Sequence, residues 1–328
     1  MDKFRWGILS TANIGRKAMI PALKKIPIAE VLAVASRDGE RAKKFAEELE
    51  IPKPYGSYQA LLEDPEIDAV YIPLPNHLHK EWTIRAAEAG KHILCEKPLA
   101  LNASECEMMI AAANENGVIL MESFMYRYHP RILAAVEMVR SGKIGSLKTI
   151  ETGFTFYMHN RDDIRMKPEM GGGALMDVGC YCINISRLMA GRNPVAVQAQ
   201  AVWAPTDVDE QLVGVLDFGE GLYAHFDCAF NQSSRQHCIL AGTEGYLSIP
   251  EAFNPGEKRS VIQEVREGKT VQVHDFEGVD EYVLIAEHFM HTIKGADPIY
   301  PIDNSVANMR VIQALLDSAR QTGSVVYL

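Results

Sequence analysis

Positive charge is in short supply. The chain has 33 Lys+Arg against 43 Asp+Glu, a formal charge of −10 over 328 residues. That balance argues against a general nucleic-acid or anionic-membrane binder, either of which needs a basic face. A local basic pocket for a phosphorylated cofactor stays compatible with it. Cysteine is also sparse: six residues, at 95, 106, 180, 182, 228 and 238, too dispersed for a disulfide framework. Cys180 and Cys182 stand two apart, but no second pair lies at zinc-ligand spacing, and His129 and His159 lack ligand partners, so no metal is expected. All six cysteines read as reduced, mostly buried side chains of a cytoplasmic protein. Long apolar runs are missing as well. No window approaches the roughly 18 residues of a membrane span, and the opening "MDKFRWGILS" lacks the apolar core of a secretory signal. There is no internal repeat, low-complexity tract or long linker.

What remains is ordinary globular material, 47% hydrophobic and 23% charged, in a chain long enough for two domains. In the first third, short apolar runs alternate with helical patterns. The strands are read at 4–10, 30–36, 68–75, 91–96 and 118–123, and the helices at 15–26, 38–50, 77–90 and 104–117. Such alternation predicts a doubly wound parallel sheet covered on both faces. After about residue 124 the texture changes. A turn and helix over 125–142 lead into strand-length runs at 146–159, 195–204, 210–218, 221–230, 235–242 and 246–250, split by short turns. The fold class is therefore α/β. A dinucleotide-binding domain over 1–124 precedes an α+β domain over 125–328 with a large, open, mainly antiparallel sheet. An amphipathic helix over 304–321 closes the chain, and its return to the first domain is left open.

Ligands of a doubly wound sheet bind beyond the carboxyl ends of its strands. The first such turn, "GILSTANIG" (7–15), sets the dinucleotide spacing G-x-G-x-x-G on Ser10, Ala12 and Gly15, so two glycines are replaced by small residues. An ordinary tight turn is the plain alternative. Its position, ending the first strand and opening a helix, favours a pyrophosphate over Ser10, Thr11, Ala12, Asn13 and Ile14. The second strand ends at Ser36 and Arg37, where a cofactor ribose is usually read. Arginine there suits a 2′-phosphate, and Arg41 one turn on adds a second cation. NADP is thus favoured over NAD, although Arg37 could simply begin a solvent-facing helix. Pro73 and Leu74 close the third strand as cofactor-binding candidates, and Asn76 and His79 follow it, where nicotinamide or sugar hydroxyls could be met, with a helix cap nearly as good a reading for Asn76. The fourth strand runs into "ILCEKPL" (93–99), which sets an ammonium, Lys97, between Glu96 and Pro98. A lysine at the end of a buried strand needs a partner or a purpose.

In the second domain "GGGALMDVGCY" (171–181) sends three glycines into a helical run. Asp177 and Tyr181 are four apart and share a helical face, a pairing suited to acid–base work. A helix-terminal aspartate beside a packed tyrosine is the structural alternative. Arg127, Tyr128 and Arg165 are softer candidates for a sugar pocket, each equally able to serve packing.

Together, "GILSTANIG", "AVASR" (33–37), "PNHLH" (75–79), "CEKPLALN" (95–102), "MESFMYRYHP" (121–130) and "GGGALMDVGCY" resemble the Gfo/Idh/MocA oxidoreductases along nearly the whole chain. The closer likeness is to the NADP-dependent xylose dehydrogenase and dihydrodiol dehydrogenase branch, since inositol dehydrogenase-type members usually carry histidine where this chain has Tyr181. The resemblance implies a Rossmann domain followed by an open sheet that often forms the contact of a homodimer or homotetramer. It implies that Lys97 is the catalytic lysine, commonly before a cis-proline. It also implies that Asp177 orients a sugar or polyol and that Tyr181 exchanges its proton. Two other functions stay on the table: a non-catalytic dinucleotide-binding regulator, and a redox-assisted NAD-dependent glycosidase of the same fold.

Overall fold

The computed structural model describes residues 3–328, which divide into two compact units. One runs to Met125 and takes in Asp280–Val306; the other comprises Tyr126–Val279 with Ala307–Leu328.

The first unit is built on a parallel six-stranded sheet of order β3-β2-β1-β4-β5-β6. Its strands are β1 (Phe4–Leu9), β2 (Ala29–Ala35), β3 (Lys53–Tyr55), β4 (Ala69–Ile72), β5 (His92–Cys95) and β6 (Leu120–Glu122). The central strands are almost wholly buried, as apolar strands covered on both faces must be. Strand order reverses between β1 and β4, which opens a crevice beyond their carboxyl ends. The sequence reading predicts five strands here and the structure has six. The additional β3 is three residues long, half-exposed and centred on Pro54, so it lacks the apolar run that marks a strand; an edge position tolerates its proline.

The helices start where side chains can satisfy free amides. Asp38 caps α2 (Gly39–Glu48), Ser57 caps α3 (Tyr58–Leu62) and Asn102 caps α5 (Ala103–Glu115). The helix expected over 15–26 divides into a π-helical turn, Gly15–Met19, and α1 (Ile20–Lys25); α4 spans His79–Glu88. A late helix, α8 (Glu281–Ile293), also belongs to this unit and packs on α1. Its Phe289 ring lies 5.2 Å from that of Trp6 on β1, and the ion pair of Lys25 with its capping residue Asp280 spans 2.8 Å.

The second unit carries a nine-stranded sheet of order β14-β13-β12-β11-β7-β10-β9-β8-β15. Its strands are β7 (Leu147–Tyr157), β8 (Ala196–Trp203), β9 (Asp209–Asp217), β10 (Tyr223–Ala229), β11 (Asn231–Gly242), β12 (Tyr246–Pro250), β13 (Ser260–Arg266), β14 (Lys269–Phe276) and β15 (Val326–Tyr327). All neighbours are antiparallel except β7 and β10, so the sheet is mixed. Against it lie α6 (Pro130–Arg140) and α7 (Cys180–Ala190). The opposite face of β8–β10 is open and carries Val202, Val213, Val215 and Tyr223, all at least 40% exposed. Helix α9 (Asp303–Arg320) begins in the first unit and ends in the second. Among the described residues, no helix is long and apolar enough to cross a membrane.

Candidate active site

The sheet order collects the expected cofactor residues at one edge of the first unit. β1 ends at Leu9, and Ser10 continues with φ 153°, a backbone conformation that glycine adopts far more readily. Its hydroxyl compensates. It donates to the Pro73 carbonyl at 3.1 Å and accepts the Ala12 amide at 3.1 Å, tying the turn after β1 to the turn after β4. Thr11 is buried, Ala12 half-buried, and Asn13 and Ile14 are exposed ahead of the helix opened by Gly15. Small residues at 10 and 12, where the turn heads a helical segment, fit a pyrophosphate.

Beyond β2, Ser36 is buried and its hydroxyl accepts the Asp38 amide at 3.2 Å. Arg37 and Arg41 follow, both solvent-exposed, and the Tyr58 phenol hydrogen-bonds Arg37. Two guanidiniums at a ribose position fit a phosphorylated ribose better than a bare hydroxyl.

Beyond β4, Pro73 and Leu74 are buried, and Asn76 opens a single 3-10 turn, Asn76–Leu78, whose cap is Pro75. His79 departs from expectation. It is fully buried, with Nε2 2.8 Å from the Leu74 carbonyl and Nδ1 3.0 Å from the Pro98 carbonyl. A ring committed to two backbone oxygens does not meet nicotinamide or sugar hydroxyls; it braces one loop of the crevice against another. Burial pushes its pKa down, against the pull of those carbonyls.

β5 ends at Cys95, and the Lys97–Pro98 peptide is cis. Lys97 itself is half-buried, while Glu96, Pro98 and Leu99 are buried. The segment is held from several sides. The Glu96 carboxylate accepts the Tyr71 hydroxyl and, at 3.3 Å, the Lys97 amide. Burial raises the Glu96 pKa, whereas the neighbouring Lys97 charge and the Tyr71 bond lower it. The Leu99 amide donates to Glu122 Oε1 at 2.8 Å, and Ser305 donates to the other oxygen of that carboxylate. His79 and Glu122 therefore engage the carbonyl and the amide of one peptide group, that joining Pro98 to Leu99. Nothing in the local pattern at His79 or Glu122 marks these bracing roles, because their partners lie far off in sequence.

In the second unit a π-helical turn, Leu175–Gly179, follows the three glycines and runs directly into α7. Such wide turns recur at functional sites, and here the turn carries Asp177 while α7 carries Tyr181. Arg165 Nε donates to Asp177 Oδ2 at 2.6 Å and Nη1 to Asp163 at 3.1 Å, and the Asp177 charge raises the Arg165 pKa. Tyr181 is 5% exposed, its ring centroid 5.4 to 5.7 Å from those of Tyr126, Phe154 and Phe253. Arg127 and Tyr128, expected at a sugar pocket, are buried, and Arg127 Nε donates to Asn184 Oδ1 at 2.7 Å.

Comparison with known proteins follows the same division. Residues 4–124 match the model described as "Oxidoreductase family, NAD-binding Rossmann fold", and residues 132–248 match the "GFO/IDH/MocA C-terminal domain". The chain belongs to the Gfo/Idh/MocA oxidoreductases. It is similar to the D-xylose 1-dehydrogenase (NADP(+)) 2 of Haloferax volcanii, 38% identical over 98% of this chain and 99% of that one. A trans-1,2-dihydrobenzene-1,2-diol dehydrogenase of Xenopus tropicalis is 32% identical over 98% of this chain and 99% of its own. Among solved structures, a 3-ketoreductase from Actinomadura kijaniata in complex with NADP and TDP-benzene superimposes with a TM-score of 0.88. It is 30% identical and covers 97% of this chain and 98% of its own. Like its Gfo/Idh/MocA relatives, this chain joins a parallel Rossmann sheet to a large, mostly antiparallel one.

Proposed function

We propose that this protein is an NADP-dependent dehydrogenase or reductase acting on a CH–OH group of a sugar, cyclitol or related polyol, with Lys97 and Tyr181 as its catalytic pair. The observation that carries the reading is the immobilised segment 96–99. The backbone that carries Lys97 is fixed at the carboxyl end of β5: Glu96 accepts the Lys97 amide, His79 lies against the Pro98 carbonyl, and Glu122 accepts the Leu99 amide. Arg37 and Arg41 support the 2′-phosphorylated dinucleotide. Relatives named for NADP and for xylose, diol and keto-sugar chemistry support the substrate class. The Actinomadura ketoreductase has also been solved with a lysine replaced and with a tyrosine replaced by phenylalanine. Those two residues stand at the same separation along its chain as Lys97 and Tyr181 here.

The bound nicotinamide supplies or accepts the hydride. Lys97 donates a hydrogen bond to the reacting oxygen and stabilises its alkoxide character. Tyr181 takes the hydroxyl proton in oxidation and returns it in reduction. Asp177, oriented by Arg165, accepts from a substrate hydroxyl. The residues 10–14 hold the pyrophosphate. A homodimer or homotetramer through the open face of the nine-stranded sheet completes the reading. So does a cytoplasmic setting, in keeping with six buried free thiols.

A panel of aldoses, cyclitols and keto-sugars, run with NADP and NAD in parallel and followed by nicotinamide absorbance, tests this. On the best substrate Lys97→Ala should lower kcat by about 100-fold or more, with NADP still bound. Turnover left intact in that variant removes Lys97 from the chemistry.

A further inference from the structure

Asp209 is outside every motif considered above, yet it is 2% exposed and opens β9 beneath the helical segment that carries Asp177 and Tyr181. Its Oδ2 accepts the Leu175 amide at 2.6 Å, and the Ala174 amide and its own also bond the carboxylate. Leu175 is the first residue of the π-helical turn, so the carboxylate satisfies amides that the turn cannot use internally. A Cβ placed on Gly173 would lie 2.1 Å from Asp209 Oδ1, and Gly173 has φ +117°. One placed on Gly172 would lie 2.4 Å from the Arg165 carbonyl oxygen. The glycines are therefore squeezed between two fixed objects: the carboxylate on β9 and the loop that supplies Arg165 to Asp177. The Gly173 amide donates to that same Arg165 carbonyl at 2.9 Å, and the Asp177 amide donates to the Gly173 carbonyl at 3.0 Å.

We propose that Asp209 is a positioning residue of the reaction, its buried carboxylate fixing the start, and hence the register, of the helical segment that presents Asp177 and Tyr181. This rests on the catalytic reading of those two residues given above. A neutral side chain would cap the turn almost as well in a peptide. A carboxylate makes shorter and stronger bonds to amides and gives the segment a single setting. The charged and titratable groups facing it are Arg320 of α9, itself beside Asp207, and the Cys228 thiol of β10. Burial pushes the Asp209 carboxyl up to about 7, against the pull of the amides and of Arg320. It is a group retained at a cost in solvation.

The test is Asp209→Asn in the full chain, read in two ways. Turnover on the best substrate of the panel should show kcat lowered about tenfold, the effect of weakening one charge-assisted hydrogen bond. The NADP dissociation constant should stay unchanged. Hydrogen exchange by mass spectrometry should show faster exchange over residues 174–181 and no change over 10–14 or 96–99. Gly173→Ala, which keeps the carboxylate but displaces it, should reproduce both effects and serves if the asparagine variant folds poorly. A variant that merely melts earlier, with kcat per folded molecule or exchange over 174–181 unmoved, overturns the proposal. Should Lys97→Ala instead leave turnover intact, the catalytic reading itself fails, and the exchange data still report whether Asp209 holds the segment.

Discussion

Single residues carry most of the chemistry here, and they differ in how far sequence alone exposes them. Lys97 is conspicuous because an ammonium at a buried strand end contradicts its own solvation preference. Arg37 is conspicuous because it occupies a ribose-reading position with the wrong sign for a hydroxyl. Arg37→Ala should therefore raise the KM for NADP by about 10- to 100-fold, the loss of one charge-assisted contact, while the KM for NAD stays near its starting value. Steady-state kinetics with both dinucleotides decide it, and a parallel loss with NAD would show Arg37 to be structural. The bracing roles of His79 and Glu122, and Asp209 altogether, are invisible by comparison. Each works through backbone groups that the fold brings in from elsewhere; Asp209 reaches Leu175, which lies 34 residues earlier. A carboxylate that opens a strand looks the same in sequence whether it faces solvent or a row of amides.

At the level of elements, periodicity exposes the strands buried on both faces and most of those buried on one, although β13, alternately buried, is passed over along with its neighbour β14. The alternation of β1, β2, β4, β5 and β6 with helices is plain in the sequence, since these strands are apolar throughout. β3 is hidden by its proline, and β14 by exposure along nearly its whole length. The π-helical turns at Gly15–Met19 and Leu175–Gly179 have no signature separate from that of the helices they open. Helix α8 has an apolar face, but its membership of the first unit is a matter of topology. That membership has a measurable price in stability. Phe289 is fully buried against Trp6, so Phe289→Ala should cost about 3–5 kcal/mol. The melting temperature should drop on the order of 10 °C, as followed by calorimetry. A shift of only a degree or two would mean that α8 contributes little to this unit.

The whole molecule shows the same contrast between local and long-range information. The change of texture near residue 124 is legible, whereas the return of residues 280–306 to the first unit is not, because no local pattern encodes a chain crossing. Composition also leaves assembly unspecified. The outward valines of β9 nevertheless supply an apolar strip of the sort that subunits cover. Val213→Glu combined with Val215→Glu should convert an assembled species to monomer in light scattering after gel filtration, leaving the fold intact by circular dichroism. An unchanged mass would remove this strip from any contact between copies of the chain.

The late position of α8 bears on how the protein is made. A ribosome releases β1 and α1 long before α8 (Glu281–Ile293), the helix that packs on them. Throughout that interval the nascent Rossmann layer presents an uncovered aromatic surface around Trp6, a stretch that chaperones would recognise. Expression of the amino-terminal part alone would leave that surface permanently bare.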